Sequence, residues 1–358
     1  MPSLKEIKGR INSISSTLAI TSAMKMVAAA KLQKAQMAIQ NMLPYERRLY
    51  SMLVDLMGAM NISAAASEDG SVRGSGSAER GFDQSGDRLS LSNRHDLAGM
   101  DGAYSLMAQR EVRKVAIVAF ASNSSLCGAF NSNVIREATA VINEYRASGL
   151  GDADITVYSV GRKMAEAMKK LGFPSPADFT KMSDSPSYDA ASALAQELFD
   201  GFVSGRFDKV ELVYNHYKST SSQPTTRQTY LPLSLADATA DLQAGKIADS
   251  ASESDTNRGA EPVGAPVVRQ GSPTTEDLIV EPSKEELIAT LLPKVVRLRV
   301  FTTLLDSTAA EHAARTVAMQ LATDNGNDLL QELTLEYNKG RQQKITSEIL
   351  DIVGGSLK

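Results

Sequence analysis

The sequence predicts an α/β protein: a long antiparallel coiled coil of its N- and C-terminal segments, plus a small Rossmann-like α/β domain between them. Three observations carry that reading. Apolar residues near the N-terminus step by three and four. Strand-like and helix-like runs alternate through the middle of the chain. The last seventy or so residues form a nearly proline-free helical run.

The first element covers residues 1–60. Leu4, Ile7, Ile11, Ile14 and Leu18 open a heptad-like seam that continues through Thr21, Lys25, Ala28, Leu32, Ala35, Ile39 and Met42. A helix of about 40 residues before Pro44 spans about 60 Å. Pro44 is expected to kink or restart it, because proline removes one ladder hydrogen bond. From Lys5 to Arg48 eight Lys or Arg stand against two Glu. That bias is either a solvated face or a surface steered by acidic partners.

Residues 61–110 are rich in Ser, Gly, Ala and Asp and lack periodicity, so they read as a low-complexity linker or insertion. Leu97 to Gln109 is a candidate short helix. Residues 111–235 alternate. Strands are expected at Lys114–Phe120, Ile155–Val160 and Lys209–Tyr217, with a last extended run at Arg227–Leu233. Helices are expected at 129–147, Arg162–Leu171 and Tyr188–Ser204. Residues 236–282 form a second low-complexity stretch of acidic character.

Beyond it, Ser283 and Glu286 fit the S-x-x-E capping box that opens a helix. From Lys294, after Pro293, that helix runs about 60 residues, or about 90 Å. Its apolar positions include Leu298, Leu305, Ala309, Leu330, Leu333, Tyr337, Ile345, Ile349 and Ile352. The step from Tyr337 to Ile345 departs from a strict heptad.

Composition limits the chemistry. The chain has 358 residues, a net charge of −4, one Cys and three His. The charge argues against a nucleic-acid-coating protein. A single Cys makes no internal disulfide, and scattered His make a zinc site unexpected. The N-terminus carries no apolar stretch of signal-peptide length, and no apolar run is long enough to span a bilayer. The loop Ala121–Asn131 sits where α/β folds bind phosphate, but neither G-x-G-x-x-G nor G-x-x-x-x-G-K-[ST] occurs. A structural strand-to-helix turn is therefore preferred there. Cys127 reads as a small packed side chain rather than a nucleophile, because no adjacent His is evident. Glu332 and Glu336 form a carboxylate pair one helical turn apart on a solvated face. No enzyme constellation emerges, and no cofactor is expected.

Both ends carry a family resemblance. Ile20-Thr-Ser-Ala-Met-Lys-Met-Val-Ala-Ala-Ala-Lys31 with Lys34-Ala-Gln36 resembles the gamma subunit of F-type ATP synthases. So do Ala313–Met319, Ala322–Gly326, Tyr337-Asn-Lys339 and Arg341-Gln342. Ile345-Thr-Ser-Glu-Ile-Leu-Asp351 with Gly355-Ser356 follows the family's C-terminal pattern, with Ser356 where Ala is usual. Ser125–Gly128 with Asn131, Tyr214-Asn215 and Leu231–Leu233 extend the likeness into the middle.

The resemblance implies a non-catalytic central rotor stalk. It would couple proton-driven rotation of a c-subunit ring to ATP synthesis or hydrolysis on the beta subunits. It implies alpha, beta, epsilon and c subunits as partners, and membrane contact only through them. Direct entry into Met1-Pro-Ser-Leu-Lys5 then favours a bacterial protein on the cytoplasmic face of the inner membrane. Residue by residue, Met24, Lys25, Arg315, Gln342, Thr346 and Glu348 match positions of coupling contact or helix-to-helix bonding. Glu281, before Pro282, resembles a Glu-Pro near the c ring. A structural coiled-coil adaptor with an α/β domain is the alternative reading.

Overall fold

The computed structural model describes residues 3–59, 106–107, 109–233 and 283–356. Glu281, the acidic stretch 236–282, and all but four residues of 61–110 lie outside these.

Helix α1 (Leu4–Ala59) has 56 residues. The C-terminal helix has 73, Lys284–Ser356, and is α6 in chain order. At 1.5 Å per residue they are about 84 and 110 Å long. They run antiparallel. Gly340 lies against Leu4 and Gly326 against Leu18, and the Thr21 and Thr323 hydroxyls hydrogen-bond at 3.0 Å. Lower down, Thr302 donates to Glu46 at 3.1 Å and Arg299 to the Tyr50 hydroxyl at 3.1 Å.

Every position of the expected α1 seam, from Leu4 to Met42, is buried or half-buried, and most residues between are exposed. The seam of α6 is Met319, Thr323, Gly326, Leu330, Leu333, Tyr337 and Gly340, again in steps of four and three. Helix α1 continues through Pro44 without a restart, and α6 continues through Pro293. Pro44 is exposed, so the Gln40 carbonyl left without its helical donor also faces water. Helix α6 starts at Lys284, where Ser283 accepts a 3.2 Å bond from the Glu286 amide, one half of the capping box. Ile345, Ile349 and Ile352 are not seam residues: they are 47, 55 and 71% exposed. Helix α1 begins opposite Gly340, so among the described residues no helix lies beside the last turns of α6.

Between the long helices lie β1 (Val115–Phe120), α2 (Phe130–Ala147), β2 (Ile155–Val160), α3 (Arg162–Lys170), α4 (Thr180–Asp184), α5 (Tyr188–Val203), β3 (Lys209–Asn215) and β4 (Thr225–Leu231). The sheet order is β2-β1-β3-β4. Strand β1 is parallel to both neighbours, and β4 is antiparallel to β3. The expected elements recur within a few residues, and the short helix α4 was not anticipated. The continuous apolar run of β1 follows from burial on both faces. Val115, Ile117 and Ala119 pack with Val134, Ile142, Met164 and Met168 of α2 and α3. Ala116, Val118 and Phe120 pack with Leu194, Leu198 and Phe202 of α5. That second cluster also contains Leu49, Leu53 and Leu56 of α1 and Ile288, Leu292, Val295 and Val296 of α6. The lower parts of both long helices therefore share one core with the domain.

Candidate functional site

The residues matched by resemblance do not form one cluster. They lie along the shaft. Met24 and Lys25 are half-buried within the paired region of α1. Lys25 occupies a seam position where an apolar residue would add cohesion. Around them Ile20, Met26 and Val27 are 60, 65 and 58% exposed, an apolar patch that periodicity alone did not single out. Its signal is that these large side chains fall off the seam.

Gln342, Thr346 and Glu348 lie on the overhang of α6, where residues 341–353 are all exposed. The Thr346 hydroxyl donates to the Gln342 carbonyl at 2.9 Å, and Glu348 pairs with Lys344 at 3.7 Å. Exposed pairs of this kind contribute little cohesion. Ile345, Ile349, Leu350, Ile352 and Val353 present apolar surface on the same turns. The overhang is thus an exposed apolar tip carrying a few polar side chains.

Arg315 is placed differently, inside the chain and 8% exposed. It donates to the Ser125 carbonyl at 2.6 Å, to the Ser124 hydroxyl at 2.9 Å and to Glu311 Oε1 at 2.6 Å. Burial raises the Glu311 carboxyl, while Arg315 opposes that shift. Arg315 therefore fastens the loop after β1 to α6. From Arg315 to Gln342 the helix rises about 40 Å, so the two cannot share a contact.

That loop is the structural turn expected. Asn131 Nδ2 donates to the Ser122 hydroxyl at 2.8 Å and approaches the Cys127 sulfur at 3.2 Å. The Ser122 amide donates to Asn131 Oδ1 at 3.0 Å. Cys127 is 1% exposed and packs with Phe130 and Ala310. Among the described residues no group of three or more His, Cys, Asp or Glu is placed to hold a metal ion. A buried charge network joins α2 to the sheet. Glu211 accepts from Tyr145 at 2.6 Å and from Arg227 at 2.7 Å, and Lys209 lies 2.7 Å away. Burial pushes the Glu211 carboxyl up, but these three donors outweigh it and hold it below its usual range. The network ties α2 to β3 and β4.

Two long antiparallel helices share a core with a small α/β domain, and one helix ends in an exposed tip. That arrangement defines a stalk protein, which acts through stiffness and surface contact. The family model for ATP synthase matches residues 3–357. The ATP synthase gamma chain of Phocaeicola vulgatus is 47% identical over 357 residues, covering 100% of both chains. That of Bacteroides thetaiotaomicron is 45% identical over 358 residues, again covering 100% of each. A chain of the Euglena gracilis mitochondrial ATP synthase structure (OSCP/F1/c-ring, rotational state 3) shares the fold, with a TM-score of 0.52 and 19% identity over 99% of this chain and 93% of that one. The protein belongs to the ATP synthase gamma chain family.

Proposed function

We propose that the protein is the central rotor stalk of an F-type ATP synthase, coupling proton-driven rotation of a c-subunit ring to ATP synthesis or hydrolysis on beta subunits. Catalysis resides in those partners, and this chain transmits torque. The observation that carries the reading is the solvent-exposed apolar surface of α6 beyond Gly340, joined through one continuous helix to the core of the α/β domain. A tip that must turn inside a ring needs apolar surface and few fixed ionic grips, because strong pairs would hold one angle. A shaft also has to touch each of its three seats differently, since equal contacts shift no equilibrium.

In this reading Met24, Lys25, Gln342, Thr346 and Glu348 make the coupling contacts to the beta subunits. Arg315 serves the shaft from within, by bonding α6 to the loop at Ser124 and Ser125. The α/β domain forms the foot that meets the epsilon subunit and the c ring, with Glu281 a contact there. No described helix is long and apolar enough to cross a membrane, so attachment runs through the partners. The proposed location is the cytoplasmic side of the bacterial inner membrane.

Co-purification tests this. The tagged chain is recovered from gently solubilised membranes and its companions are identified while ATP hydrolysis is assayed. Recovery of alpha, beta, epsilon and c subunits with ATPase activity is expected. A homo-oligomer recovered alone from the soluble fraction would contradict it.

A further inference from the structure

Tyr217 lies two residues past the end of β3, at the start of the turn into β4. Its ring packs in two places at once. It joins Leu32 and Ala35 of α1 with Ala309 and Ala313 of α6, and it joins Ala310 and Ala314 of α6 with Cys127 and Phe130 of the loop. Its hydroxyl accepts a 2.6 Å bond from Gln36 Nε2 on α1. Its backbone amide donates to Asp306 Oδ1 on α6 at 2.9 Å, and Asp306 Oδ2 meets His216 Nδ1 at 2.6 Å. One residue of the domain is therefore bonded to both shaft helices and wedged between them.

The ribbon that carries it is firmly held. The His216 amide donates to the Pro224 carbonyl at 2.9 Å, and Ser219 and Ser222 exchange backbone bonds at 3.1 and 3.2 Å. Asn215 donates to the Phe130 carbonyl at 3.1 Å and accepts from Thr225 at 2.7 Å. Beside Leu32, Cys127 and Phe130, the slot is lined by Ala35, Ala309, Ala310, Ala313 and Ala314. Larger side chains at these positions would close it, so the small residues of the seam here serve an inserted aromatic rather than slimness alone.

We propose that Tyr217, positioned by Asp306 and Gln36, is a torsional wedge that locks the α/β domain to both helices of the shaft. This rests on the rotor reading. The shared core holds the helices at the level of Ile288 to Leu304. Tyr217 adds a second grip further up, at the level of Asp306 to Ala314. Two grips separated along an axis resist twist better than one, and a wedge touching both helices also stops one from sliding past the other. Packed interiors transmit such strain because they are close-packed.

The test uses the assembled complex with its catalytic ring immobilised and a probe on the α/β domain, and records the angular spread of the probe while the motor is paused. ATP hydrolysis by the same complexes confirms assembly. Tyr217→Ala is expected to widen the variance about twofold, because an unfilled slot removes packing that nothing else replaces. Tyr217→Phe, which keeps the ring, should restore a spread close to that of the unaltered complex. Asp306→Ala should fall between them. Where Tyr217→Ala yields no assembled complex, Asp306→Ala decides by the same comparison. An assembled complex whose spread is unchanged in Tyr217→Ala, or in Asp306→Ala where Tyr217→Ala does not assemble, overturns the wedge alone. An unaltered chain that assembles no ring overturns the rotor reading and the wedge with it.

Discussion

Gly326 of α6 sits so close to Leu18 of α1 that a Cβ built on it would stand 2.6 Å from Leu18 Cδ2 and 3.1 Å from Leu18 Cγ. The two helices approach here because α6 offers no side chain. Leu18 is half-buried, and the nearest atom is a terminal methyl that can turn away. Gly326→Ala should therefore be close to neutral in chemical denaturation, as the about 1 kcal/mol gained in helix propensity offsets the displaced methyl. Gly326→Leu cannot be absorbed that way and should cost about 1–3 kcal/mol by overpacking. Equal midpoints for the two variants would show that the close approach is absent.

Gly161 is a stricter case. It follows β2 at φ +95°, and an added Cβ would lie 2.0 Å from the Ala121 carbonyl oxygen. That oxygen is backbone, and the Ala121 amide is itself bonded to the Val160 carbonyl at 2.8 Å. Gly161→Ala should lower stability by at least about 2 kcal/mol, since it adds left-handed strain to a backbone clash. A melting temperature within a degree of the unaltered chain would contradict this.

Arg315→Ala leaves Glu311, 7% exposed, without its paired guanidinium, with Lys31 the remaining cation and Asp184 opposing its charge. Breaking a buried pair from one side costs about 3–5 kcal/mol. The double change Glu311→Leu with Arg315→Met should cost much less, although it also gives up the bonds to Ser124 and Ser125. Urea denaturation of both variants measures the difference. Equal losses would show that the charge pair is not what the single change disturbs.

Two histidines give opposite pH dependences. The Asp306 carboxylate raises His216 above its ordinary 6.5, against burial and Lys218. Glu46, Arg47 and Arg299 line the same groove. Its stabilising share is present in full below pH 6.5 and is lost as pH rises through the raised value. His312 is pushed down to about 4 by burial and by Lys31 and Arg315, and its neighbours also include Glu311. Its Nδ1 is buried with no hydrogen-bond partner among the described residues. The unfolded chain binds the proton more readily, so stability is lost as pH falls from 6.5 towards 4. His216→Ala should flatten the alkaline side of the stability curve and His312→Leu the acid side. Melting temperatures between pH 4.5 and 8.5 check both, and curves parallel to that of the unaltered chain would refute the assignments.

The paired part of the shaft was legible because its signal is local. The step of three and four from Leu4 to Met42 is the pattern that an antiparallel neighbour buries, weak positions Thr21 and Lys25 included. The end of the pairing was not legible. Ile345, Ile349 and Ile352 look like a seam, but burial depends on where α1 begins, and that lies more than three hundred residues away in sequence. Helices α1 and α6 run on through Pro44 and Pro293, because each proline loses only one ladder bond while the packed faces on either side hold the helix. Arg315 was legible as a matched residue but not in its role. Nothing in its spacing shows that the loop after β1 folds back on α6. Tyr217 gave no signal at all, since a lone aromatic after a strand gains meaning only when the alanines of two distant helices form its slot.

Rotation tests the central claim most directly. Cys127 is buried, so a Lys170→Cys variant offers one exposed thiol on α3 of the α/β domain for a probe. With the catalytic ring fixed to a surface and ATP supplied, the account predicts that the probe turns continuously in one direction, in three equal pauses per turn. ATP hydrolysis by the same surface-held complexes with a stationary probe would contradict it, because catalysis would then proceed without this chain acting as the shaft.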